Sequence, residues 1–291
     1  MSEVHYGGQA VIEGVMIRGA KHMAVAVRSP SGEIVVHSEP LPSGIYNSRL
    51  GRLPFVRGLT MLWDTLVLGT RSLMYSADVA LEEEEVEFGA AMMWGTLLAS
   101  LALGVGLFVV LPAFVVSLVD RYIASPLLSN LAEGLVRLAF FTAYLYAIGR
   151  LPDIARVFAY HGAEHKTVSA YEAGLPLVPE NIKPFPTAHM RCGTDFLLVV
   201  LAVFVLISSM LGRPPLLVRL LSRLALVPVV TAIAYEFIKF AARHDDNPVV
   251  RLLITPGLWL QRLTTREPED GMLEVSIAAL QRVLQEDGVA A

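Results

Sequence analysis

The stretch AMMWGTLLASLALGVGLFVVLPAFVVSLV, residues 91–119, contains no charged side chain. A helix needs roughly 20 residues to cross the hydrocarbon core of a bilayer, about 30 Å, so this stretch is long enough to span a membrane. Three further stretches, 131–149, 196–212 and 224–242, are also predominantly apolar. We therefore expect a mainly α fold, a polytopic membrane helical bundle of about four spans. Pro112 predicts a kink in the first span, because proline removes an intrahelical hydrogen bond.

Composition supports this class. Of 291 residues, 54% are hydrophobic and 17% charged, whereas a soluble domain has about a quarter of its residues charged. This apolar composition predicts the lipid bilayer as a partner. The net charge of −4 leaves no basic surplus to neutralise phosphates, so we expect no nucleic acid as a partner. The single cysteine, Cys192, excludes an intrachain disulfide framework. The first residues show no cleaved signal pattern, and nothing in the sequence excludes a homo-oligomer.

Lysine and arginine residues are concentrated before the first predicted span, between the second and third, and after the fourth. The positive-inside rule therefore predicts a multi-pass protein of the cytoplasmic (inner) membrane, with both termini and the 150–195 connection in the cytoplasm. Arg213, Arg219 and Arg223, between the last two predicted spans, run against this bias.

The chain divides into six predicted segments. They are a cytoplasmic β-rich element (1–53), an amphipathic interfacial helix with an acidic collar (54–90), a first membrane hairpin (91–149), a cytoplasmic connection with His, Glu and Cys (150–195), a second membrane hairpin (196–242) and cytoplasmic C-terminal helices (243–291). The β prediction rests on two β-rich runs around the turn signal Ser29-Pro30-Ser31-Gly32. A soluble amphipathic helix is predicted near the C-terminus by apolar residues at helical spacing: Leu273, Ile277, Leu280 and Leu284.

Candidate chemistry is concentrated in YHGAEHKTVSAYE, residues 160–172. His161-x-x-Glu164-His165 is the H-x-x-E-H pattern of inverted zinc hydrolases. On one helix the two histidines lie about 6 Å apart, whereas Glu172 lies about 16 Å from His161 and cannot complete their site. The pattern predicts a divalent transition metal, zinc first, held by His161 and His165, with Glu164 as the general base that activates water.

Further ligands are predicted elsewhere. In TAHMRCGTDF, His189 precedes Cys192, whose thiolate near a helix N-terminus suits metal ligation or nucleophilic attack. Glu236 lies inside an apolar run, where an ionisable group is by default functional. Its predicted depth brings it towards His161 and His165, as a ligand or through an imidazole N–H; a pair with Lys239 is the alternative.

Two non-enzymatic functions also fit. A transporter or channel would use Glu236 and Arg137 to line a polar path between spans. A membrane scaffold would bind a cytoplasmic partner through the β element and the C-terminal helix. In residues 6–19, four glycines accompany Gln9, Glu13 and Arg18, which predicts turns or close backbone approach.

Four motifs, in this order, resemble those of the bacterial YqhQ-like membrane proteins: GGQAVIEGVMIRG, YHGAEHKTVSAYE, HMRCGTDF and PGLWLQRLTTREP. The resemblance runs through nearly the whole chain. The resemblance implies an integral membrane protein and favours a metal-dependent enzyme, and it supplies no substrate. The residues His161, Glu164 and His165 favour a hydrolase that acts at the cytoplasmic face of the membrane.

The orientation can be tested by cysteine labelling in a Cys192→Ser background, which contains no other thiol. Single cysteines in place of Ser38 or Glu180 should react with an impermeant maleimide only from the cytoplasmic side, and one in place of Pro126 only from outside. Labelling at position 180 from outside would place the predicted site on the opposite face of the membrane.

Overall fold

The computed structural model describes residues 6–41, 53–80, 90–190, 192–212, 214–241, 243–244 and 247–289. The acidic collar predicted at 82–87 lies outside these residues. The strands are Gly7–Val11 (β1), Gly14–Arg18 (β2), His22–Arg28 (β3) and Ile34–Pro40 (β4).

The described helices follow the strands, which confirms a mainly α chain with a small N-terminal β element. They are Val56–Ala80 (α1), Ala90–Val105 (α2), Leu111–Val119 (α3), Pro126–Ile148 (α4), Pro152–Glu172 (α5), Pro179–Ile182 (α6), Gly193–Ser209 (α7), Leu216–Ala241 (α8), Pro248–Thr264 (α9) and Asp270–Asp287 (α10).

The sheet is antiparallel with strand order β1-β2-β3-β4. The predicted turn joins β3 to β4: the Ser29 N–H donates to the Glu33 carbonyl at 2.9 Å, and Gly32 has φ +89°. The glycine-rich segment forms the β1–β2 hairpin. A Cβ on Gly8 would lie 1.8 Å from the Met16 carbonyl oxygen, so this position shows the close backbone approach that the glycines predict.

One face of the sheet packs against α5 and α10 around a shared core. The apolar stripe of α10 is at the centre of this core, since Leu273, Leu280 and Leu284 are at most 1% exposed. The predicted surface helix is therefore a core element, because an amphipathic sheet must cover its apolar face with another element. We call β1–β4, α5 and α10 the α/β layer; it joins parts of the predicted segments 1–53, 150–195 and 243–291.

The other face of the sheet is covered by α1. Leu68 is 3% exposed and packs with apolar side chains of the first three strands. Towards its beginning, α1 contacts α8 so closely that a Cβ on Gly58 would lie 2.9 Å from the Tyr235 Cβ. The predicted amphipathic helix therefore links the sheet to the helical bundle.

Three described helices are long and apolar enough to cross a membrane: Trp94–Tyr122, Pro126–Ile148 and Leu217–Ala241. The predicted third span, 196–212, corresponds to α7, whose 17 residues extend only about 25 Å. α7 nevertheless runs the length of the bundle. It begins beside Cys192, and the turn after it lies at the start of α4, where the Asn130 side-chain amide donates to the Gly212 carbonyl at 3.1 Å.

Just before Pro112, where the sequence predicts a kink, the helix contains a π-helical turn, Gly106–Val110. Pro112 has no N–H to donate to the Phe108 carbonyl four residues earlier. That carbonyl instead accepts a hydrogen bond from Arg137 Nε at 2.7 Å. The proline thus frees a backbone acceptor inside the bundle for a charged side chain.

The burial of α10 generates a stability prediction. Leu280 is fully buried, so Leu280→Ala should lower the free energy of unfolding by about 2–5 kcal/mol through lost packing. The neighbouring exposed Gln281 provides a matched control, Gln281→Ala, which should change it little. Denaturant-dependent unfolding of the purified protein measures both, and equal effects would contradict the placement of α10 in the core.

Candidate functional site

Helix α5 carries the H-x-x-E-H pattern and contains the whole of the predicted helix at 160–172. His161 and His165 lie one turn apart on it, with ring centroids separated by 4.4 Å. Helical periodicity therefore brings the two imidazoles together without any long-range contact.

Gly162, between the two histidines, sets how closely the chain segment after α9 approaches α5. A Cβ at this position would lie 2.1 Å from the Arg266 carbonyl oxygen. The Arg266 N–H donates to the Phe158 carbonyl at 2.9 Å, which fixes this segment along α5. The segment after α9 thus passes α5 at a distance that only glycine allows.

Backbone carbonyls orient both imidazoles. His161 Nδ1 lies 2.9 Å from the Thr264 carbonyl oxygen, and His165 Nδ1 lies 2.6 Å from that of Thr187. Because a carbonyl oxygen only accepts hydrogen bonds, each Nδ1 carries the proton in the neutral ring. Each Nε2 is then left with a lone pair, which is the arrangement of histidines that ligate metals.

Cys192 brings a third donor atom from the beginning of α7. Its Sγ accepts the Thr194 N–H at 3.3 Å and lies 3.3 Å from His161 Nε2. One ligand atom each from His161, His165 and Cys192 lies within 4.8 Å of the other two. Two motifs that are separate in the sequence therefore form one side-chain group, which we call the HHC cluster.

Glu164 lies beside the HHC cluster and is 4% exposed. Its Oε1 accepts the Gly8 N–H at 2.8 Å, and its Oε2 lies 3.6 Å from His165 Nε2. Burial raises the pKa of Glu164, against the opposing effects of His161, His189 and the Gly8 N–H. A carboxyl group whose pKa is shifted upwards holds its proton more readily than a free carboxyl group, which suits a general acid–base residue.

The contact between Gly8 and Glu164 was not foreseen from the sequence. The glycines in residues 6–19 predicted that another group approaches their backbone closely, but they did not identify that group. The sheet supplies the answer, since β1 packs against α5 and presents a backbone N–H to the buried carboxylate. Gly8 is thereby a positioning residue for Glu164.

His189 lies next to the cluster, with its ring centroid 5.7 Å from that of His165. Its Nε2 is 3.3 Å from Glu172 Oε2. The buried Gln261 side chain holds the His189 backbone, with the amide accepting the His189 N–H at 2.8 Å and donating to its carbonyl at 2.9 Å. His189 thus pairs with an acidic group and lies outside the HHC cluster.

Glu236, which was predicted to approach His161 and His165, is bound by the beginning of α1. Both carboxylate oxygens are engaged by Arg57, and Oε1 also accepts the Phe55 N–H at 3.0 Å. The prediction used only the depth of Glu236 in its helix, which leaves rotation about the helix axis undetermined. A guanidinium that binds a carboxylate through two nitrogens makes a strong and specific pair, so Glu236 is a structural partner of α1.

The donor set of the HHC cluster fits a metal ion. Two imidazole nitrogens and a cysteine sulfur are the kinds of ligand that zinc prefers. The same atoms also fit a second chemistry. A thiol 3.3 Å from an imidazole that a carbonyl orients has the geometry of a cysteine nucleophile and its base.

Residues 53–286 match the family model described as "Protein of unknown function (DUF1385)". The chain is also 33% identical to "Uncharacterized protein YqhQ" of Bacillus subtilis (strain 168) over 293 residues, which cover 96% of this chain and 92% of that protein. No solved structure matches the chain. The motifs that form the HHC cluster lie within the matched range, and the chain belongs to the DUF1385 family of YqhQ-like proteins.

Proposed function

We propose that the protein is a metal-dependent membrane enzyme, with His161, His165 and Cys192 as the metal ligands. The observation that carries the proposal is the convergence of three ligand atoms within 4.8 Å, with both imidazoles oriented by backbone carbonyls. A divalent transition metal, zinc by the donor set, would supply Lewis acidity and lower the pKa of a water molecule there.

Hydrolysis is the reaction class that this arrangement favours. Glu164 is the residue placed to move a proton: Gly8 holds one carboxylate oxygen, and the other faces His165. Its raised pKa suits a group that takes a proton from water and returns it to a leaving group. Glu164 is therefore proposed as the general acid–base residue.

The fold supports a site at one face of a membrane. The α/β layer contains chain segments from before the first span, between α4 and α7, and after α8. These segments can share one core only if the chain crosses an even number of times between them. We therefore propose four crossings, with α7 as the short one, and the positive-inside rule assigns the α/β layer and both termini to the cytoplasm.

A cysteine hydrolase is the second candidate. Cys192 Sγ lies at the N-terminus of α7 and accepts the Thr194 N–H at 3.3 Å. His161 Nε2, at 3.3 Å, is placed to act as its base. This mechanism needs no metal, so metal content separates the two candidates.

The non-enzymatic alternatives receive less support. The scaffold hypothesis uses the β element and the C-terminal helix to bind a partner, and the apolar face of that helix is already buried in the α/β layer. The transporter hypothesis used Glu236 and Arg137 to line a path between spans. Arg57 engages both carboxylate oxygens of Glu236, and Arg137 is paired with Glu133 instead.

Metal content tests the leading proposal. Protein purified without chelators should contain about one divalent transition metal ion per chain, and His161→Ala/His165→Ala should lose it because two of the three ligands are gone. His244→Ala is a matched control, since His244 is exposed and bonds within its own helix end. Elemental analysis gives the stoichiometry. Wild-type protein that stays metal-free after zinc is added back would rule the proposal out.

Alkylation of Cys192 tests its role. If the thiolate binds a metal, removal of the metal by a chelator should accelerate iodoacetamide labelling about tenfold or more, because the sulfur lone pair is released. If Cys192 is instead a nucleophile paired with His161, labelling should ignore the chelator and slow in His161→Ala. Mass spectrometry follows the reaction, with unlabelled Cys192→Ser as the blank.

A further inference from the structure

A second group of charged side chains lies inside the helical bundle, at the end of α4 away from the HHC cluster. It contains Glu133 and Arg137 on α4 and Arg219 and Arg223 on α8. The side chain of Arg223 is fully buried, and those of Glu133 and Arg219 are 2% and 3% exposed. Ionisable groups buried in spanning helices are costly and mark functional sites.

Glu133 lies at the centre of this group. Its Oε1 accepts hydrogen bonds from Arg137 Nη2 at 2.8 Å and from Arg223 Nε at 3.4 Å. Its Oε2 is 3.7 Å from Arg219 Nε. Asp120, at the end of the first span, lies 3.4 Å from Arg219 Nη2.

The positive charges in this group exceed the negative ones. Three guanidinium groups face two carboxylates, Glu133 and Asp120, among the residues that the structure describes. Arginine does not lose its proton in proteins. The group therefore retains a positive charge that burial makes unfavourable, unless an anion neutralises it.

Hydrogen-bond donors are also unsatisfied there. Arg223 donates through Nη2 to Asn130 Oδ1 at 2.8 Å, but its Nη1 has no hydrogen-bond partner in the described part of the chain. Arg219 Nε also has no hydrogen bond, but Glu133 Oε2, which lies 3.7 Å from it, is equally without a partner, so these two atoms face each other. Since buried donors nearly always have an acceptor, the surplus positive charge and the Nη1 donor of Arg223 indicate the same kind of partner.

We propose that Arg219 and Arg223 bind a small monovalent anion of the chloride class inside the bundle. An anion supplies both the missing negative charge and the missing acceptor. The burial of both arginine side chains selects a small ion, because a phosphate ester or a lipid headgroup needs an opening that such buried side chains do not offer. The proposal does not depend on the chemistry of the HHC cluster.

Chloride binding to the intact protein tests the proposal. Purified protein in detergent should bind radioactive chloride saturably, and its melting temperature should rise with chloride, relative to gluconate, at constant ionic strength. Bromide should replace chloride. Wild-type protein that is folded by circular dichroism but binds no chloride saturably would overturn the proposal, and so would stabilisation by phosphate alone.

Two substitutions should shift the affinity for chloride in opposite directions. Arg223→Gln should weaken binding about tenfold or more, because a charged hydrogen bond to the ion is lost. Glu133→Gln should strengthen it, because the carboxylate that competes for the same guanidinium groups is neutralised. Arg121→Gln, at the same end but exposed, is the control and should leave affinity unchanged.

Because one substitution should weaken chloride binding and the other should strengthen it, misfolding cannot produce both results. A general loss of structure can lower chloride affinity but cannot raise it. If Glu133→Gln leaves the affinity unchanged or weakens it in folded protein, the proposed competition between Glu133 and the ion is wrong and the site is not at these arginines.

Discussion

The contact between α5 and the backbone after α9 controls the geometry of the candidate site. Gly162 lets the Arg266 carbonyl come within 2.1 Å of where a Cβ would stand. At that distance the Thr264 carbonyl accepts the His161 Nδ1–H, which leaves Nε2 available to Cys192. A larger residue at 162 would push the two segments apart and release the imidazole. The tautomer, and with it the donor set of the HHC cluster, therefore depends on one glycine.

The α/β layer positions Glu164 beside the HHC cluster. Its core holds α5 against the sheet, so that Gly8 reaches Glu164. A carboxylate in such a buried position would be unfavourable without a donor, and the backbone N–H stabilises the charged form without adding a competing charge. The same packing raises the pKa of Glu164. The contacts that stabilise the α/β layer therefore also set the position and the pKa of Glu164. Substitutions in α10 are expected to change both the stability of the protein and the environment of Glu164.

The two polar centres of the molecule differ in how they are satisfied. At the HHC cluster, carbonyl oxygens of Thr264 and Thr187 complete the hydrogen bonds of the imidazoles. In the bundle, Glu133 is shared by three arginines and donors remain unmet. The first centre is preorganised by the backbone, which suits catalysis. The second retains net charge, which suits an ion as its partner.

The sequence alone determined the features that depend on near neighbours: long apolar helices, the Ser29–Gly32 turn, and two histidines one turn apart. Only the tertiary structure decided which distant groups meet. In the tertiary structure, Cys192 lies beside His161, and the Gly8 N–H donates to Glu164. Glu236 pairs with Arg57, and the apolar face of α10 is buried. Arginines of α4 and α8 come together around Glu133. The physical reason is that periodicity fixes which residues share a face of a helix, whereas the rotation and partner of that face are set by packing between segments far apart in the chain.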